Sequence, residues 1–240
     1  TILSQGVSAV LVLAVLVRGD DFVRLSLKEL RASPLILKQI VRIGIPAALQ
    51  MAITSFSNVF VQSYINVFGL DCMSGWTSCT KIDQFLLLPT QSLSLAATTF
   101  VGQNCGAGKM DRVRAGVKSC MLMTVTASLA MSVVIFNWGI YGYQLFTTDE
   151  EVIRIGIAMM RYLSPVYVTY VSIEILSGAL RGVGDTWIPM FLCLFGVCAL
   201  RVGWVLFAVP LNRNIYMIMF SYPLTWVITT VLFVIYYLFF

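Results

Sequence analysis

The sequence predicts an all-α integral membrane protein. Only 11% of its 240 residues are charged and 59% are hydrophobic, whereas about a quarter of the residues in a soluble domain carry charge. Mean hydropathy is +0.88. The charges are clustered, which leaves apolar runs near the ~20 residues that cross the hydrocarbon core. No stretch reads as strands.

Seven apolar segments follow one another. The first covers residues 1–17. A linker, 18–42, carries Arg18, Arg24, Lys28, Arg31, Lys38 and Arg42. Within it "SLKELRASP" predicts a short amphipathic helix ended by Pro34. The second span is 44–68, with Pro46 in its first turn, where a missing N–H costs nothing. The third is 72–104, and Pro89 predicts a kink in it. The fourth is 115–138, followed by "FTTDEE", in which Thr148 or Asp149 caps the next helix and the acids suit its first turn. That fifth span runs to about 180. Two more cover 187–209, ended by Pro210, and 215–238.

Loop charge sets one orientation. With the linker cytoplasmic, Lys109, Arg112, Arg114, Lys118 and Arg181 are cytoplasmic too, and eleven of the sixteen basic residues lie inside. The net charge of +5 is therefore topology rather than a nucleic-acid face. Asp71, Asp149, Glu150 and Glu151 fall on the opposite side, with Arg154 and Arg213. Thr1 and Phe240 both lie inside apolar runs, and the expectation is a piece of a longer chain. The first run has no basic lead and is not read as a signal peptide.

The chain has no histidine, which excludes a serine or cysteine nucleophile with a histidine base. Its six cysteines form no C-x-x-C and are expected in packing rather than a zinc site. The methionines Met121, Met123, Met131, Met159 and Met160 are expected in packing as well. Trp76, Trp138 and Trp187 fall near span ends and are expected in an interfacial belt.

Two glycine-rich cytoplasmic turns stand out: "FVGQNCGAGKMDR" at 100–112 and "LSGALRGVGDT" at 176–186. The first is no phosphate loop. Its Gly102-to-Gly108 spacing is one residue too long, and Met110 stands where a Mg²⁺-holding Ser or Thr belongs. Together, and with "ILKQIVRIGIPAALQ" at 36–50, the two turns resemble the multidrug and toxic compound extrusion (MATE) transporters. The resemblance covers nearly the whole chain. It implies two six-helix lobes. Residues 1–17 would then end helix six, 18–42 would be the inter-lobe linker, and 43–240 would be helices seven to twelve, the C-terminal lobe.

The resemblance implies export of cationic or amphipathic compounds in exchange for Na⁺ or H⁺, by alternating access of the two lobes. It implies no cofactor beyond the coupling ion. The implied partners are an organic cation, membrane lipid and the N-terminal lobe, in a bacterial cytoplasmic membrane. Some branches of the family carry a cation-binding acid in helix seven and another relies on a carboxylate in the N-terminal lobe, but the span matching helix seven, 44–68, has neither Asp nor Glu. Two alternatives stay open. One is a lipid-linked oligosaccharide flippase of the same superfamily, which the acids Asp83 and Glu174 disfavour. The other is a polytopic membrane enzyme, for which a catalytic cluster is lacking.

Charges inside spans are costly and face a bundle interior or a wet cavity. At about 100° per residue, Asp83 shares a stripe with Thr80, Thr90, Ser94 and Thr98. Lys81 lies about 200° away and points elsewhere. Glu174 shares a stripe with Tyr167, Tyr170, Ser177 and Arg181. A third stripe holds Gln50, Thr54, Ser57, Asn58 and Tyr64. The expectation is that these stripes line one cavity. Asp83 or Glu174 would hold Na⁺ or a proton there, and the tyrosines would add cation–π contacts. Lys81, Arg161 and Arg201 are expected to balance charge. Asp83 and Arg201, at similar depth, are the expected ion pair.

Overall fold

A computed structural model describes residues 2–18, 31 and 33–239. The amphipathic helix expected at 26–34 lies largely outside the described residues. By its internal contacts the chain divides into two units, Thr1–Arg42 and Ile43–Phe240. The first contains α1 (Ile2–Arg18), none of whose residues is buried.

α2 runs from Pro34 to Ile65. Pro34 opens this helix, the position where its fixed φ and missing N–H are harmless. Pro46 lies inside the helix and not in its first turn, so it removes one backbone donor there. The buried residues of α2, Pro46, Gln50, Ser57, Val61 and Ile65, form a single narrow face.

α3 (Leu70–Gly106) is the longest helix described, at 37 residues. It bends by 42° between Leu70–Phe85 and Leu87–Gly106. Pro89 explains the bend, because it leaves the carbonyl four residues earlier without its donor. α4 spans Met110–Gln144. Asp149 caps α5 (Glu150–Leu163), accepting from the N–H groups of Glu151 at 2.9 Å and Val152 at 3.3 Å.

The last three spans are each interrupted. A 3₁₀ turn, Ser164–Val166, divides α5 from α6 (Tyr167–Val183) at Pro165. A π-helical stretch, Leu194–Ala199, separates α7 (Trp187–Cys193) from α8 (Leu200–Leu211). Phe220 parts α9 (Ile215–Met219) from α10 (Ser221–Phe239). Irregular backbone at membrane depth survives where protein buries it. No strand occurs among the described residues. Among the described residues five stretches are long and apolar enough to cross a membrane, and the bent α3, taken as one span, makes a sixth.

α3 sits at the centre of the second unit, packed on α4, α5 and α6, while α10 packs on α6 and α8. The glycines of the second turn sequence serve two purposes. Gly184, at φ +92°, ends α6 in the left-handed region. Gly178 and Gly182 belong to the helix itself and let α3 approach closely. A methyl at Gly182 would stand 2.5 Å from the carbonyl oxygen of Thr98. Small residues four apart are how membrane helices come together without a hydrophobic drive.

Trp76 is not in an interfacial belt. It is 3% exposed and packs on Tyr222 with 5.6 Å between ring centres. Trp138 and Trp187 are exposed. Among the methionines, Met159 and Met160 are fully buried, whereas Met123 is exposed. The six cysteines are free thiols.

Candidate functional site

The Asp83 stripe faces into the lobe. Asp83, Thr90 and Ser94 are buried, and Asp83 and Ser94 face α6. Two oxygens of the stripe bind α6 directly. Ser94 donates to the backbone carbonyl of Glu174 at 2.8 Å, and Thr98 to that of Gly178 at 2.9 Å. The stripes predicted around Asp83 and Glu174 thus meet across one helix interface.

Around Asp83 the neighbours are soft and aromatic. The Cys79 thiol, one turn earlier, donates to Oδ2 at 3.8 Å. The phenol of Tyr167, the first residue after the 3₁₀ break, faces the carboxyl. Tyr143 from α4 and Tyr222 from α10 are near enough to interact with its charge. The other oxygen, Oδ1, is buried without a partner. A carboxylate in such a place needs a cation or a proton.

The expected ion pair with Arg201 does not form, and neither residue makes one with any described residue. Arg201 is 1% exposed. Its two terminal nitrogens donate to Asn58 Oδ1 and to Thr225 Oγ1, each at 3.1 Å. Its guanidinium carbon lies 4.1 Å from the centre of the Tyr222 ring. Equal depth was a poor guide because depth leaves the direction around the helix open. Tyr222, Thr225 and Asn58 occupy the directions in which Arg201 could meet an acid.

Glu174 is half-buried and accepts from the Tyr170 hydroxyl at 2.5 Å. Tyr167, Tyr170 and Tyr222 all touch Trp226, with ring centres 5.4–5.5 Å apart. Trp226 therefore joins the surroundings of Asp83, Glu174 and Arg201 into one cluster. Gln50 on α2 donates to Ser177 Oγ and to Cys193 Sγ, both at 3.1 Å.

Lys81 and Arg161 stay outside this cluster. Both are exposed. Lys81 Nζ stands 5.4 Å from the ring centre of Phe146, and the Arg161 guanidinium 5.6 Å from that of Phe136. They do not balance Asp83 or Glu174 by contact. Sequence reasoning missed Tyr222, Thr225 and Trp226. Their signal was available: with Thr229 they recur at helical spacing, and all four are buried.

The MatE family model matches residues 46–206. The chain belongs to the MatE family. The "Probable multidrug resistance protein YoeA" of Bacillus subtilis is 22% identical over 70% of this chain and 36% of its own length. The "Probable multidrug resistance protein NorM" of Thermotoga maritima is 24% identical over 84% of this chain and 43% of its own. An outward-facing multidrug resistance MATE family transporter of the MOP superfamily superposes with a TM-score of 0.88 at 20% identity, covering 98% of this chain and 53% of that one. This MatE chain thus spans 36–53% of the length of these proteins. It is an integral, multi-pass membrane protein with their fold.

Proposed function

We propose that the whole protein is a secondary active exporter. It exchanges Na⁺ or H⁺ for cationic or amphipathic small molecules by alternating access of two lobes, in a bacterial cytoplasmic membrane. The observation that carries this reading is the Asp83 carboxyl, buried in the lobe with Oδ1 unpartnered and no cationic side chain paired to it. A group of that kind changes energy steeply when it gains or loses a cation. Tyr143 on α4, Tyr167 on α6 and Tyr222 on α10 lie near enough to interact with its charge. Cation exchange at Asp83 would therefore act on three helices at once. Glu174, held by Tyr170, is the second candidate.

The test is efflux of an ethidium-like cation by the full-length protein in proteoliposomes, with Na⁺ and H⁺ gradients imposed separately. The parent protein should respond to one of the two. Asp83→Asn should reduce gradient-driven efflux by an order of magnitude or more at normal membrane insertion. Unchanged efflux would remove Asp83 from the coupling.

A further inference from the structure

α4 buries one side in the lobe, and its exposed side is built in three zones. The middle is apolar, with Leu122, Leu129 and Val133 exposed. Thr126 and Asn137, also exposed, bond back to carbonyls of their own helix, those of Leu122 and Val133, at 2.8 Å each. Towards Gln144 stand Trp138 and Tyr141, both exposed. Towards Met110 stand Arg114 and Lys118, one turn apart and both exposed. Lys118 and Trp138 are 20 residues apart, which is ~30 Å at ~1.5 Å per residue and matches the thickness of a hydrocarbon core. A basic end, an apolar middle and an aromatic rim at that spacing mark a surface that meets lipid. Composition and length assign this side to the bilayer, not its exposure alone.

Loop charge accounts for Lys109 and Arg112 at the start of α4. It does not account for two more bases one turn apart inside the helix. Bases near a helix N-terminus oppose the macrodipole, and like charges at i and i+4 repel. Asp111 is the single acid of α4. Neither Arg114 nor Lys118 forms an ion pair with any described residue. Two bases so placed destabilise the helix in water and stabilise it beside an anion.

α10 adds a third group. Tyr237, in its last turn, is half-buried, and the Arg114 guanidinium is near enough for its charge to act on the phenol. The adjoining Tyr236 donates to Asp185 Oδ2 at 2.6 Å, which fixes this end of α10. A guanidinium, an ammonium and a phenol thus offer donors from two helices, set above an apolar stripe. A free inorganic anion has no use for the stripe, whereas a phospholipid has.

We propose that Arg114 and Lys118 on α4, with Tyr237 on α10, hold the phosphate of an anionic phospholipid whose acyl chains lie along Leu122, Leu129 and Val133. Basic pockets between membrane helices take acidic headgroups in this way. The bound lipid joins the ends of α4 and α10 and stabilises the lobe from its rim. This is independent of the coupling ion and of the solute.

Thermal unfolding of the full-length protein in mixed micelles tests it. Phosphatidylglycerol should raise the midpoint by a few degrees over phosphatidylcholine. The double change Arg114→Gln and Lys118→Gln should remove that difference, and Tyr237→Phe should reduce it. The double change Lys109→Gln and Arg112→Gln removes the same charge nearby and should leave the difference in place. Equal loss from both pairs would mean a diffuse basic surface, and no difference in the parent protein would mean no site; either result overturns the proposal. Glycerol phosphate at matched concentration should stabilise far less than the lipid. Equal stabilisation would make this a site for a free anion and would overturn the proposal as well. A second measurement needs no variant. In the parent protein, a photoreactive phosphatidylglycerol with its diazirine high on the acyl chain should cross-link to residues 114–129 in preference to the other spans, as read by peptide mapping. Labelling spread evenly over the spans would equally sink it.

Discussion

The guanidinium of Arg201 lies 4.1 Å from the centre of the Tyr222 ring, and the two form the only side-chain pairing of a charge with a ring found inside this cluster among the described residues. Arg201 has no acid beside it and its Nε has no hydrogen-bond partner. Its burial therefore rests on the ring, Asn58 and Thr225. The π-helical stretch that ends at Ala199 sets the register that aims it there, a use of π-helix common at functional sites.

Removing the ring should hurt more than removing the charge. Tyr222→Leu leaves a guanidinium buried without its largest contact, and a desolvated cation–π pair is worth about 2 kcal/mol. Arg201→Met deletes the charge and keeps much of the volume, a change that buried charges often tolerate. Thermal unfolding in detergent should therefore show a larger drop for Tyr222→Leu than for Arg201→Met. The reverse order would mean that Arg201 is held by something other than Tyr222.

The α3–α6 interface should reject even one methyl. At Gly178 a Cβ would sit 2.7 Å from the carbonyl oxygen of Ser94, and at Gly182 2.5 Å from that of Thr98. Both neighbours are backbone atoms, which cannot swing aside. Gly182→Ala should cost about 1–3 kcal/mol through overpacking and visibly lower the yield of folded protein. Gly44→Ala, where a Cβ meets nothing within 4 Å, should leave it unchanged. Size-exclusion profiles of the two variants decide this.

Much of this lobe was legible in its apolar runs, because hydrophobic length is what fixes a span. The pairing of the Asp83 and Glu174 stripes followed partly from the same periodicity. What the periodicity left open was which way each stripe looks. Asp83 lies buried in the interior of the lobe, a direction its stripe alone did not give. Asp83 and Arg201 were matched by depth alone, and depth carries no information on azimuth. Trp76 looked interfacial from its place near a span end, yet the helix begins early enough to bury it. Tyr222, Thr225 and Trp226 escaped because tyrosine and tryptophan merge into an apolar run when only hydropathy is counted.

Cysteine reactivity offers a check on burial that is independent of transport. Cys79 is 0% exposed and donates to Asp83, and Cys193 is 3% exposed beside Gln50. Cys72, Cys105 and Cys120 are half-buried. A membrane-permeant maleimide should modify members of the second group in the folded protein and reach Cys79 and Cys193 only after denaturation in SDS. Peptide mapping by mass spectrometry reads the two sets separately. Modification of Cys79 in the native state would contradict the closed interior around Asp83.

Gln50 should be the main polar fastening of α2. That helix buries only a narrow face, and of its polar members Ser57 Oγ has no partner. Gln50 alone reaches two other helices, through Ser177 on α6 and Cys193 on α7. Thr54 merely bonds the carbonyl of Gln50 in its own helix at 3.0 Å. Buried hydrogen bonds of this kind contribute about 1 kcal/mol each, and orphaned partners add to the loss. Gln50→Leu should thus loosen α2 by roughly 1–3 kcal/mol, whereas Thr54→Val should have little effect. Hydrogen exchange followed by mass spectrometry should show faster exchange over α2 in Gln50→Leu and unchanged exchange over α6, whose packing on α3 does not involve Gln50. Uniformly faster exchange across both helices would mean that Gln50 supports the lobe as a whole and not the seating of α2.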